Sequence, residues 1–86
     1  MIFEIDKFKK RLLYRSQYRG TKEMDKLIGS FVKDKINTLN KEELIELEKF
    51  LEIDDDNLYK FYNNQISQID QNDNKILSLF KNYIYK

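Results

Sequence analysis

The 86-residue chain has no cysteine, no histidine, no proline and no tryptophan, and only two glycines. Without cysteine and histidine there are no disulfides, thiolate nucleophiles or imidazole bases, and the usual zinc ligand sets cannot be assembled. Only carboxylate sites for hard cations stay open. Without proline the backbone meets no forced break, and so little glycine leaves long stretches free to become helix. No apolar run approaches the ~20 residues needed to cross a bilayer. The opening residues, Met1-Ile-Phe-Glu-Ile-Asp-Lys-Phe8, carry acids. They lack the basic-then-apolar order of a signal peptide and the acid-poor, Arg- and Ser-rich character of a transit peptide. A mature cytosolic product is therefore expected.

What is present describes a globular domain. Hydrophobic residues make up 41% and charged residues 36%, a balance outside the disordered range. A single domain over 1–86 is expected. A chain of this size buries only about two-thirds of the surface its unfolded form exposes, enough for one modest core without an internal cofactor cavity. Such a protein acts through its surface. The net charge of +1 hides a polarity: residues 1–35 carry ten Lys/Arg against five Asp/Glu, and residues 36–86 carry six against ten. That bipolar pattern suits an oriented protein partner better than a phosphate backbone, which calls for a broad basic face.

Apolar spacing predicts about five short helices, hence an all-α bundle. The first runs from about Asp6, as N-cap, to Tyr18, with Ile5, Phe8 and Leu12 on its inner face. Arg11, Arg15 and Arg19 fall four apart on another face. The helix dipole favours the last two near the C-terminus, which explains them without a ligand. The second helix spans about Thr21 to Lys35 and has the strongest amphipathic pattern, Met24, Leu27, Ile28, Phe31 and Val32. Gly29 within it points to a close helix–helix contact. A third helix opens on Asn40 with Glu43 as a capping box and runs to about Glu52, burying Leu44, Leu47, Phe50 and Leu51. Its acids, Glu42, Glu43, Glu46 and Glu48, read as a solvated face.

Asp54-Asp55-Asp56-Asn57 lacks the alternation, glycine and distant glutamate of an EF-hand loop. It reads instead as a cap and acidic first turn for a fourth helix, about Asn57 to Asn63, with Leu58, Phe61 and Tyr62 inward and Tyr59 outward. Residues 63–74 form a polar connector with Ile66 and Ile69 as anchors. A last helix, about Asp73 to Tyr85, presents Ile76, Leu77, Phe80 and Ile84, and leaves Tyr83 and Tyr85 as exposed aromatic surface.

The stretch Arg15-Ser-Gln-Tyr-Arg-Gly-Thr-Lys-Glu-Met-Asp25 lies between the first two amphipathic segments and should form the corner of a helical hairpin. Gly20 can end one helix with a positive φ and cap the next, with Glu23 reaching back as in a capping box. No nucleophile–base pair or phosphate loop is visible, so neither catalytic residues nor a metal or cofactor site are expected. The corner is expected to be a recognition surface.

Lys10-Arg-Leu-Leu-Tyr-Arg-Ser-x-x-Arg-Gly-x-x-Glu-Met-Asp25, then Leu27-Ile-Gly-x-Phe31 and Leu51-Glu-x-Asp-Asp-x-Asn-Leu-Tyr-x-Phe61, resemble the succinate dehydrogenase assembly (flavinylation) factor family of bacteria and mitochondria. The resemblance covers roughly residues 8–62. It implies a small helical bundle that binds the flavoprotein subunit of succinate dehydrogenase, in some cases of fumarate reductase, and promotes covalent attachment of that partner's FAD. It maps the family motif onto Arg19, Gly20 and Glu23, and an acidic element onto Asp54 and Asp55. With Arg15 of the arginine strip, these are the expected partner-binding residues. In the mechanism this suggests, Arg19 makes a bidentate contact with a partner acceptor. Many family members have tryptophan where Phe61 stands and glycine where Asn63 and Asn64 stand. The competing reading is a regulatory module, antitoxin-like or nucleic-acid-binding, resting on the basic first half. An interleaving of Lys22, Lys26 and Lys33 with Asp25 and Asp34 argues against a base-reading helix. Neither nucleic-acid binding nor membrane insertion is expected.

Overall fold

The structure is a computed structural model that describes residues 4–65, 69 and 74–84. It contains five α-helices and no strand among the described residues. They are α1 (Ile5–Gln17), α2 (Lys22–Lys35), α3 (Lys41–Leu51), α4 (Asp55–Tyr62) and α5 (Lys75–Lys81), with a 3-10 turn at Ile36–Thr38 between α2 and α3. The all-α class and the helix count match expectation.

Local chemistry sets most boundaries. Asn40 and Glu43 form the reciprocal box, with the Glu43 N–H donating to Asn40 Oδ1 at 2.8 Å and the Asn40 N–H to Glu43 Oε1 at 2.9 Å. Four boundaries differ from the sequence reading. Asp6 lies in the first turn of α1; the N-cap position falls on Glu4, which makes no side-chain capping bond. Thr21 caps α2 in place of Gly20, its hydroxyl accepting from the Met24 N–H at 3.2 Å. Glu23 is then the second helical residue, one position short of where a capping box needs it. α4 opens at Asp55, earlier than Asn57, because Asp54 accepts from the Asn57 N–H at 3.3 Å. The described part of the last helix is also shorter than expected, capped by Asn74 and ending at Lys81. The expected termini Asp73 and Tyr85 lie outside the described residues.

At the end of α4 the Asn64 N–H donates to the Phe61 carbonyl and the Gln65 N–H to the Lys60 carbonyl, 3.3 and 2.8 Å. Asn64 adopts a φ of 59° to allow this. This is a Schellman closure, which ordinarily selects glycine and tolerates asparagine.

The apolar stripes of all five helices meet in one core. Phe31, Phe50 and Phe80 are fully buried, with ring centroids 5.2–5.7 Å apart, and each such burial contributes roughly 1.5–3 kcal/mol. Gly29 brings α2 against the end of α1: a Cβ there would lie 3.2 Å from Gln17 Cγ and 3.6 Å from the Ser16 carbonyl. The expected inner faces are buried, with exceptions at the chain's extremities. Ile5 is 38% and Ile84 77% exposed, because no described element covers them. Tyr83, in contrast, packs inward against Phe31 at 5.3 Å and shares a 2.5 Å hydrogen bond with Ser30 Oγ. Ile69 packs on the core as an anchor; Ile66 lies outside the described residues. No described helix is long and apolar enough to cross a membrane.

Candidate functional site

The corner between α1 and α2 is short. α1 ends at Gln17, Tyr18 and Arg19 lead away, and Gly20 turns the chain with a φ of 121°. Gly20 is exposed, and a Cβ built on it meets no heavy atom within 4 Å. Glycine is needed here for backbone conformation, since L side chains rarely adopt this φ. The space above it is open.

Arg19 explains why so brief a turn is held in place. Its side chain points inward and is only 8% exposed. Nε donates to Asp55 Oδ1 at 2.5 Å, one terminal nitrogen to the Leu51 carbonyl at 2.7 Å, and the other to the Ile53 carbonyl. Its backbone N–H donates to Asp25 Oδ1 at 2.5 Å. One residue therefore ties the corner to the α3–α4 connection, 36 positions away at Asp55, and to the first turn of α2. In the chain without a partner, the guanidinium fork expected to meet a partner acceptor is engaged by Asp55 and by the Leu51 and Ile53 carbonyls. The fork is filled from within the chain, because the α3 carboxyl-terminal carbonyls lack helical partners and need donors.

The other expected residues divide into two groups. Arg15, Arg19, Asp54 and Asp55 line one cleft of about 390 Å³, together with Tyr18 and Glu52. Asp54 caps α4, and its carboxyl is held below the ordinary range, chiefly by the Asn57 side-chain amide and next by the Asn57 N–H. Arg15 is half-buried and lies 3.9 Å from Glu48, which also faces Arg11 at 3.9 Å. Contacts that long and exposed contribute at most about 1 kcal/mol. Glu48 is thus not simply on a solvated face; it receives the arginine strip of α1. Glu23 belongs to a different cleft, of about 290 Å³, walled by Met24, Leu27, Tyr59 and Tyr62. Its carboxylate is exposed and has no side-chain partner among the described residues. Gly20 lines neither cleft.

Sequence reasoning missed two features. Asp25 enters the sequence reading only as an acid interleaved with the lysines of the second helix, and its bond to the Arg19 N–H has no signature beyond its place six residues on. Tyr14 and Tyr18 are 64% and 67% exposed, with ring centroids 4.6 Å apart. Their i, i+4 spacing beside the arginines is a signal that could have found them.

No group of three or more His, Cys, Asp or Glu side chains able to hold a metal occurs among the described residues. The arrangement consists of a rigidly held apex with an unpaired carboxylate, flanked by a polar cleft and an apolar one. It offers acidic, polar and apolar contacts on one end of the bundle.

Comparison with known proteins bears on this arrangement. The profile of a family described as the flavinator of succinate dehydrogenase (Sdh5) matches residues 10–84. The FAD assembly factor SdhE of Acetobacter pasteurianus is 44% identical over 50 residues, 58% of this chain and 46% of that protein. Succinate dehydrogenase assembly factor 2, mitochondrial, of Dictyostelium discoideum is 29% identical over 82 residues, 95% of this chain and 58% of that protein. The protein of the same name from Aspergillus flavus is 36% identical over 56 residues, 65% of this chain and 19% of that protein. The chain thus spans about half the length, or less, of the curated relatives it matches. No solved structure is significantly similar. With the family profile covering both the corner and the α3–α4 connection that holds it, this chain belongs to the family of flavinators of succinate dehydrogenase.

Proposed function

We propose that this chain is an assembly factor that binds the flavoprotein subunit of succinate dehydrogenase, or of fumarate reductase, and promotes covalent attachment of FAD to it. In this reading the chain contributes no reacting group and binds no flavin when alone. The observation that carries the reading is the family match across residues 10–84, joined to a corner whose apex is fixed from within while Gly20 and Glu23 face outward.

The physical rationale is positional. Covalent flavinylation would join a partner histidine nitrogen to the 8α-methyl carbon of the flavin. The methyl C–H and histidine N–H give up their protons, while the flavin ring takes the electron pair and is left reduced. The two reacting atoms must be held in a near-attack geometry. Fixing such a geometry can remove several kcal/mol, and up to ~7–11 kcal/mol, of barrier without any catalytic group on the helper. A helper performs this task only if it is stiffer than what it holds. The Arg19 contacts supply that stiffness at the corner, and the aromatic core of Phe31, Phe50 and Phe80 supplies it below. Glu23, with no partner of its own, is free to accept from a donor on the flavoprotein. Gly20 lets that partner's backbone come close. The exposed Tyr14 and Tyr18 pair adds stacking surface, of the residue type enriched in interfaces.

The test is co-expression of the chain with the flavoprotein subunit of its own organism, followed by flavin fluorescence on a denaturing gel. Covalent flavin should rise with the chain present and fall with Glu23→Ala, whose far-UV circular dichroism should match wild type. Full flavinylation at the normal rate without the chain, and no copurification, would refute the proposal.

A further inference from the structure

We infer that Arg19 and Asp55 act as an internal latch that positions the corner, and that the flavoprotein grips Gly20 and Glu23 instead. This deepens the proposed function and rests on it for its activity readout. The sequence pattern sets arginine, glycine and glutamate side by side, as if all three faced a partner. The structure separates them by direction. The Arg19 side chain is 8% exposed and Asp55 22%, and every nitrogen of the guanidinium donates within the chain. Glu23 is exposed, and Gly20 has open space beyond it.

A buried guanidinium has strong reason to stay where it is. Its acceptors are the Leu51 and Ile53 carbonyls at the end of α3 and the Asp55 carboxylate at the start of α4. Pulling Arg19 out towards a partner would leave those groups without their donor in a partly buried cleft, an outcome more costly than never forming the contact. Lysine cannot replace it, because a point charge with one nitrogen cannot reach three divergent acceptors. The Asp25 contact to the Arg19 N–H fixes the backbone on the other side, at 2.5 Å. The α3–α4 acidic turn thus matters to the partner indirectly: it decides where the apex sits. Arg19, Asp55 and Asp25 are positioning residues in this sense.

Two arms test the latch, one without the partner. In the free chain, hydrogen–deuterium exchange at the Arg19 amide, which donates to Asp25, should be slow in wild type. It should accelerate in Asp55→Asn and in Arg19→Lys, while the amides of α2 and α3 around Phe31 and Phe50 keep their protection. In the second arm, calorimetry measures affinity for the flavoprotein subunit. Arg19→Lys and Asp55→Asn should each weaken binding on the order of tenfold, and the double variant should be no weaker than the worse single one. Adding Glu23→Ala to either should multiply the losses. Full multiplication of the Arg19→Lys and Asp55→Asn losses, with exchange unchanged in the free chain, would overturn the latch and place both side chains against the partner. If wild type fails to bind the flavoprotein, the proposed function falls, and the exchange arm alone still decides the latch.

Discussion

Replacing Gly20 by L-alanine and by D-alanine separates the conformation of the corner from the space around it. Gly20 holds a φ of 121°, and an L-type Cβ there has no heavy atom within 4 Å. A methyl group therefore collides with nothing, and any cost is a backbone cost. Holding an L residue in this region costs about 1–3 kcal/mol, while the stiffer unfolded chain returns roughly 0.4–1 kcal/mol. Gly20→Ala should then be less stable by about 1–2 kcal/mol. D-alanine has the mirror-image preference and adopts this φ readily. It keeps the unfolded-state gain, so its stability should equal or exceed wild type by up to ~1 kcal/mol. The chain is short enough for chemical synthesis, and urea unfolding followed by circular dichroism gives the midpoint at constant m-value. If the L-alanine chain proves as stable as wild type, the positive φ is not enforced and the argument for Gly20 fails. The D-alanine chain also addresses function, because it keeps the fold while adding bulk at the apex. Normal stability with reduced flavinylation would mean that the partner's backbone approaches Gly20 closely.

Three further outcomes are expected. Gly29→Ala should be nearly neutral, because a helix gain of about 1 kcal/mol offsets displacement of the flexible Gln17 side chain 3.2 Å away. Gly29→Leu should cost about 1–3 kcal/mol, since it presses on the α1 backbone at Ser16 and Gln17; equal stability of the two variants would deny the close approach. Asn64→Ala should lose about 1–2 kcal/mol by forcing a residue intolerant of positive φ into the α4 closure, whereas Asn64→Gly should be as stable as wild type in the same urea assay. The acid limb of stability should trace to two caps. Glu43 is held below its ordinary 4.5, first by the Asn40 N–H and then by Lys75, and Asp54 below its ordinary 3.8, first by the Asn57 amide. Both are depressed in the folded state, so their contribution is complete above those values and disappears as pH falls through the lower, folded ones. The thermal midpoint should be flat above about pH 5 and fall below it, and the fall should soften in Glu43→Gln/Asp54→Asn. An unchanged profile in that variant would remove the caps from the explanation.

The family resemblance and the helices were legible for different reasons. Helices were legible because their signals are local: the stripe Leu44, Leu47, Phe50 and Leu51 repeats with the helical period, and Asn40 with Glu43 forms a box across three residues. Where two local signals competed, the sequence was ambiguous. Gly20 and Thr21 are both able to cap α2, and only the path of the incoming chain selects Thr21. Periodicity also cannot say whether anything lies opposite a stripe, so Ile5 and Ile84 were placed inside although no described element covers them. The outward exposure of Glu23 and Gly20 and the internal bonding of Arg19 could not be told apart from a string of letters.

By itself the sequence determined an all-helical chain, its cap at Asn40, most of its core, and its family. These follow from hydrogen bonds and periodicities that close within one or two turns of helix. Only the tertiary structure decided which way the corner's side chains point. The Leu51 and Ile53 carbonyls and the Asp55 carboxylate reach Arg19 across more than thirty positions, and proximity of that kind is created by packing the helices together.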